Sequence, residues 1–167
     1  TKMINNYLER QIKENFPYEP TLEQEIAVKS LSEFLLSTLA DEVFILRGYA
    51  GTGKTSLVGA LVKTMDQLQQ KSVLLAPTGR AAKVLSGYSG GRAYTIHKHI
   101  YRQKSVGGDG FGQFSLMPNK AKDTLFIVDE VSLIGIDAGQ QQSTTAFGSG
   151  NLLEDLVTFV RNGLDCR

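Results

Sequence analysis

Residues 48–55, GYAGTGKT, constrain what this chain can fold into more than any other stretch. They fit the pattern G-x-x-x-x-G-K-[ST]. They also sit where its mechanism requires, after a short apolar run (VFIL, 43–46) and before a segment of helical apolar spacing from 54 to about 70. The glycines let the backbone curl until successive N–H groups point inward at phosphate oxygens, and the helix that follows adds the positive end of its dipole. Gly48, Ala50, Gly51, Thr52 and Gly53 would form the cradle, Lys54 would reach the β and γ phosphates, and the Thr55 hydroxyl would ligate Mg²⁺. Strand, glycine-rich loop, helix and a further strand make a βαβ unit, so the chain is expected to be α/β with a parallel sheet.

The apolar pattern elsewhere agrees. A helix from about 22 to 40, with Thr21 as its N-cap, carries Ile26, Leu31, Phe34, Leu35 and Leu39 at helical spacing. The runs at 43–46, 73–76 (stopped by Pro77) and 125–128 read as three buried strands. Further helices are expected over 79–85, around 95–101, and after Asn151, with 87–91 (GYSGG) a turn and 139–150 a loop. Weakly alternating segments on either side of VGGDGFG (106–112) predict a hairpin across 101–117. The strand at 125–128 runs into Asp129 and Glu130, at the sheet edge where ligands of open α/β sheets bind. Asp129 is placed there to hold Mg²⁺ through water, and Glu130 to polarise the water that attacks the γ phosphate.

Composition narrows the class. With 41% hydrophobic and 21% charged residues the chain is of ordinary globular make-up. No apolar run approaches the roughly 20 residues of a membrane span, and the first residues are too polar for a secretory signal, so a soluble, cytoplasmic protein with no membrane partner is expected. Cys166 is the single cysteine and there are two histidines, which excludes a disulfide framework and a Cys-rich zinc site. The net charge of +1 is silent as a sum but not by position. Residues 78–122 hold Arg80, Lys83, Arg92, Lys98, Arg102, Lys104, Lys120 and Lys122 against Asp109 alone, while the segments 1–46 and 123–167 are acidic. One-signed excess of that kind points to a phosphate backbone as partner.

Taken in order, the motifs resemble those of superfamily 1 DNA helicases of the RecD-like branch, related to the exonuclease V alpha subunit, and specifically their first RecA-like motor domain. PTLEQEIAV (20–28) matches the Q motif, GYAGTGKTS (48–56) motif I, LLAPTGRAA (74–82) motif Ia, TIHKHIY (95–101) the next DNA-contact motif, and FIVDEVSLI (126–134) motif II. The resemblance implies a P-loop NTPase that binds ATP with Mg²⁺, hydrolyses it to ADP and translocates on single-stranded DNA. It adds Ser56 to the nucleotide loop and gives Gln24 the adenine, to whose N6 and N7 edge an amide offers a donor and an acceptor; an exposed helix glutamine is the alternative. It assigns single-stranded DNA to Thr78, Arg80, Thr95 and His97, with a structural role for His97 still open. The 101–117 hairpin would be the pin at a duplex junction, with Phe111 and Phe114 stacking on a base, or else a surface hairpin whose aromatics cover its own base.

Motif II reads DEVS where this branch more often has DEAS, a change beside the acids that affects packing. Beyond residues 161–167 the resemblance implies a strand carrying motif III and a second RecA-like domain. The chain is therefore expected to be an N-terminal RecA-like ATP-binding domain over 1–167, a fragment in which Cys166 and Arg167 begin another strand.

Two other classes remain. A nucleotide or metabolite kinase would use the same loop, but it needs a lid with arginines and an acceptor pocket, which 77–86 and 95–101 do not clearly offer. A nucleotide-gated nucleic-acid-binding module would keep both sites without turnover. A GTPase is excluded, because Asn119 and Lys120 are followed by Ala121 and Lys122 and not by the x-D of a guanine reader.

Overall fold

The computed structural model describes residues 2–39, 42–47, 53–103, 113–131, 134 and 146–167. Gly48, Ala50, Gly51, Thr52, Lys104 and Phe111 lie outside the described residues. The elements are, in order, α1 (Lys2–Glu14), α2 (Leu22–Leu36), α3 (Lys54–Gln67), β1 (Lys71–Ala76), α4 (Gly79–Ser89), β2 (Ala93–Thr95), α5 (Ile96–Ile100), β3 (Tyr101–Gln103), β4 (Gln113–Leu116), β5 (Thr124–Val128), β6 (Ala146–Phe147) and α6 (Leu152–Arg161).

The main sheet is parallel, in the order β2-β1-β5. Its centre is the five-residue register that pairs Lys71–Leu75 of β1 with Thr124–Val128 of β5. Both faces are covered, which is why these strands read as unbroken apolar runs. Leu74 and Ala76 pack with Leu85, Ala82 and Val62 beneath α3 and α4, and Leu125 joins the α1, α2 and α3 cluster. On the opposite face Val73, Leu75, Phe126 and Val128 meet Ile96 and Ile100 of α5 and Leu156 and Phe159 of α6. A smaller sheet, in the order β3-β4-β6, holds the base of the expected hairpin: Tyr101 pairs with Leu116 and Gln103 with Phe114, antiparallel.

Thr21 and Asn151 cap α2 and α6 as expected, Thr21 in a reciprocal box with Gln24, and Thr78 and Thr95, expected only as DNA-contact residues, cap α4 and α5. Several elements differ from expectation: β2 is not among the expected strands, β6 lies within the expected 139–150 loop, and α2 ends at Leu36. α4 runs on to Ser89, ended by Gly90 in the left-handed region (φ +77), so Tyr88 belongs to a helix and not to a turn. α1 buries Leu8 and Ile12, one turn apart and followed by Phe16, a stripe too sparse among polar residues to predict a helix.

Residues 43–46 do not form the expected buried strand. Phe44 and Leu46 pack against the first core cluster, whereas Val43 and Ile45 are 61% and 68% exposed. The outer edge of β5 is filled instead by the chain's last residues. Phe126 N–H donates to the Arg167 carbonyl (2.7 Å), Arg167 N–H to the Thr124 carbonyl (3.1 Å), and Lys122 bridges Leu164 in parallel. Arg167 also donates through its guanidinium to the Phe34 carbonyl (2.8 Å). A four-residue apolar run fixes extended backbone but not its ladder partner, which is a non-local choice.

His99 packs its ring edge-on to Phe126 and Phe159, with centroids 6.2 and 5.8 Å away. Burial lowers its pKa from the ordinary 6.5, so the unfolded chain takes up a proton at a higher pH than the folded one. Stability should therefore decline as pH falls below about 6.5 and stop declining once the folded pKa is passed. His97, lowered by burial as well, adds to the same slope. Thermal midpoints measured from about pH 7.5 to 5 should fall, and less steeply for His99→Phe.

Candidate functional site at the carboxyl edge of the sheet

Parallel pairing brings the ends of three strands to one edge. β1 ends at Ala76 and passes through Pro77 into Thr78, the cap of α4; β2 ends at Thr95, the cap of α5; β5 ends at Val128 and passes into Asp129. The register places Ala76 opposite Thr95 and Leu75 opposite Val128, and Asp129 N–H extends that ladder to the Leu75 carbonyl (3.0 Å). α3 leads back into β1 through a short turn, so its N-terminus lies at this same edge.

Gly53 caps α3 with φ +84, a left-handed conformation that glycine adopts without cost. A Cβ there would also run into Gln24 and come within 3.2 Å of the Tyr18 hydroxyl. Gln24 is 5% exposed, and both ends of its amide are engaged. Its oxygen accepts from Thr21 N–H (2.9 Å), and its nitrogen donates to the Gly53 carbonyl (3.1 Å) and to the Tyr18 hydroxyl (2.9 Å). A hydrogen bond with Ser56, and then the one from Gln24, lowers the Tyr18 pKa by favouring the phenolate. Gln24 thus clamps the end of the phosphate loop to the start of α2. Tyr18, which no motif marks, completes the clamp.

Lys54 and Thr55 open α3; Thr55 is exposed and Lys54 half-buried. Both oxygens of Asp129 accept hydrogen bonds: Oδ1 from the Glu130 N–H (2.9 Å) and Oδ2 from the Tyr88 hydroxyl (2.5 Å). Desolvation, and then the hydrogen bond to Asp129, pushes the Tyr88 pKa well above the ordinary 10, so the phenol stays protonated and donating. Glu130 is exposed and left-handed (φ +57), a conformation that costs a non-glycine residue roughly 1–3 kcal/mol and clusters at functional sites. The donor chemistry suits Mg²⁺: a hydroxyl and carboxylates, all hard oxygens. Among the described residues no group of three or more His, Cys, Asp or Glu is gathered to hold a metal alone. A cavity of about 920 Å³ opens on Thr55 and Ser56 but runs along Lys63 and Tyr88 to Arg92, and its lining does not include Asp129. It is a groove beside the start of α3.

The residues expected to hold DNA divide in two. Thr78 and Thr95 accept cap bonds from Ala81 N–H (3.1 Å) and Lys98 N–H (3.2 Å), which leaves each hydroxyl proton for another acceptor. Arg80 is exposed beside Thr78, and His97 is half-buried with its ring 5.7 Å from that of Tyr101. The basic block is less continuous in space than in sequence. Arg80 and Lys98 flank the caps at the carboxyl edge, whereas Arg92 and Lys122 precede β2 and β5 and so lie at the opposite edge. At the hairpin Phe114 packs, partly buried, against the α5 and α6 cluster. Tyr101, at the hairpin's base, donates its hydroxyl to the buried Asp155 (2.5 Å), which also accepts from Ser149 N–H (3.0 Å).

Comparison with known proteins agrees with the fold. Residues 23–149 match the family profile described as an AAA domain. The chain is 36% identical over 113 residues to the ATP-dependent RecD2 DNA helicase of Deinococcus radiodurans, an alignment covering 65% of this chain and 15% of that protein. It is 36% identical over 101 residues to the ATP-dependent DNA helicase dda of Enterobacteria phage T4, covering 53% and 20%. An uncharacterized protein of Methanocaldococcus jannaschii is 30% identical over 125 residues, covering 69% and 11%. The chain thus spans a fifth or less of the length of these relatives.

Gly53→Ala should leave the core intact while disturbing the loop, because strain of roughly 1–3 kcal/mol and the Gln24 clash both fall on residue 53. Nucleotide affinity, measured by fluorescence titration, should drop at least about tenfold, and Gln24→Ala in the same chain should recover part of the loss by removing the clash.

Proposed function

The chain belongs to the AAA-domain family, and on that premise we propose that it is the ATP-binding and ATP-hydrolysing RecA-like motor domain of a DNA helicase that translocates on single-stranded DNA in the cytoplasm. One observation carries the reading: a left-handed glycine opening α3, an acidic pair ending β5, and two threonine-capped helix starts converge on one edge of one sheet. A nucleotide site and a strand site so placed share β1 and β5 as a common floor. Two of the relatives above carry names that state an activity, and each is an ATP-dependent DNA helicase.

At the nucleotide, the Gly53 N–H and the first N–H groups of α3 would face phosphate oxygens, with Lys54 on the β and γ phosphates. Thr55 and Asp129 would hold Mg²⁺, which when bound neutralises charge on the phosphates. Glu130, exposed and with positive φ, would accept a proton from the attacking water. Gln24 would serve indirectly by fixing Gly53, and directly where its bond to Tyr18 is exchanged for the adenine edge. At the strand, Arg80 would supply charge, the Thr78 and Thr95 hydroxyls would donate to phosphates, and His97 would pack beside them. The 101–117 hairpin would stand at the duplex junction as the pin. Phe111 would be its stacking residue, because Phe114 is packed inward.

Lys54→Ala should abolish nucleotide binding without lowering affinity for oligo-dT in the absence of nucleotide. Arg80→Ala should weaken oligo-dT binding and flatten its dependence on the logarithm of salt concentration by about one unit. Anisotropy titrations at two salt concentrations measure both. A chain that binds nucleotide but no oligonucleotide at either salt would be a phosphotransferase, and the helicase reading would fail.

A further inference from the structure

Tyr88 stands outside every motif, yet its hydroxyl reaches 41 residues along the chain to the carboxylate at the end of β5. Its ring lies partly buried beside Leu85 and Ala82, a role that phenylalanine would fill equally well. The hydroxyl therefore calls for its own account. We propose, building on the nucleotide-site reading above, that Tyr88 is a positioning residue that fixes the carboxylate of Asp129 for Mg²⁺–nucleotide and ties it to the helix that carries Thr55.

An aspartate carboxylate turns broadly about its last torsion. Here one oxygen is held by the next residue's N–H at 2.9 Å and the other by Tyr88 at 2.5 Å, so two donors on opposite oxygens stop that rotation. Each oxygen keeps acceptor capacity for a metal-bound water. Tyr88 is itself located by α3. Where α3 and α4 approach, the Tyr88 carbonyl lies 3.3 Å from the point a Cβ on Gly59 would occupy, and Gly59 stands about one turn beyond Thr55 on the same helix. The glycine lets α4 come close enough for the phenol to reach Asp129. The two protein oxygens expected to share the ion, from Thr55 and Asp129, are thereby set relative to each other through one tyrosine. Partners that orient a metal ligand in this way typically change metal affinity by about 10- to 100-fold when removed.

The test uses the 167-residue chain and a fluorescent ADP analogue, titrated with MgCl₂ and, separately, in EDTA. Tyr88→Phe keeps the ring and its packing; it should raise the half-saturating Mg²⁺ concentration about 10-fold and leave metal-free ADP binding unchanged. Gly59→Ala alters neither the phenol nor the carboxylate, and by displacing α4 it should shift the Mg²⁺ dependence in the same direction by a smaller factor. A Tyr88→Phe chain whose Mg²⁺ dependence stays within about twofold of the parent, or which loses affinity equally with and without Mg²⁺, overturns the assignment. A parent chain that binds ADP without any Mg²⁺ dependence overturns it too while leaving the phosphate loop standing, and a parent that binds no ADP overturns the nucleotide-site reading itself.

Discussion

The five-residue parallel register between β1 and β5 is the constraint on which the rest of the molecule depends. The two strands are separated by nearly fifty residues of chain, and their pairing brings the ends of that stretch together. Because the strands run the same way, their carboxyl ends coincide, and whatever follows each strand is delivered to one edge. After β1 comes the cap of α4, and after β5 comes Asp129. The alternation of side chains then sends Leu74 and Ala76 to one face and Val73 and Leu75 to the other, so the sheet must be covered twice. A one-residue slip would exchange those faces and move Asp129 off the Leu75 carbonyl that holds its N–H.

The placement of the candidate site was legible where its residues mark element boundaries. A glycine before a lysine and a threonine opens a helix, and two acids after four apolar residues end a strand. The same holds for the caps Thr21 and Asn151, each of which precedes a helix and accepts a bond from its first turn, whereas the caps at Thr78 and Thr95 emerged only in the structure. Pairing of 43–46 was not legible, since its partner edge is claimed by residues more than a hundred positions away. Nor was the role of Gln24 complete in the sequence. Its place in the capping box can be read from Thr21 three residues before it, but its bond to the Gly53 carbonyl cannot.

The tyrosines show the same limit in sharper form. Tyr18, Tyr88 and Tyr101 each place a ring in or beside a core cluster and a hydroxyl on a polar group far along the chain or beside the phosphate helix. Sequence pattern registers the ring, because rings set apolar periodicity, and is blind to the hydroxyl, whose partner is chosen by tertiary structure. Tyr88 was further hidden by its neighbours. GYSGG carries three glycines and reads as a turn, yet Gly87 sits inside α4 and only Gly90 takes the left-handed conformation that ends it.

These hydroxyl bonds also distribute rigidity unevenly. Asp155 is 6% exposed and accepts from Tyr101 and from Ser149 N–H within the first turn of α6, where a carboxylate is further favoured by the helix dipole. That carboxylate therefore ties the base of the hairpin to α6, which packs on the face of the sheet opposite α3. Asp129 is held in the same way, by one tyrosine and one backbone N–H, on the edge proposed to receive nucleotide. Between them lie β5 and the Phe126 and Phe159 contact, with ring centroids 6.0 Å apart. A displacement of α4 on nucleotide binding would act on Asp129 through Tyr88. To reach the hairpin it would have to pass through a packed aromatic layer, and close packing transmits a shift with little absorption. In this chain the carboxyl edge of the sheet and the hairpin base are joined through the interior of the domain as well as through α4 and α5.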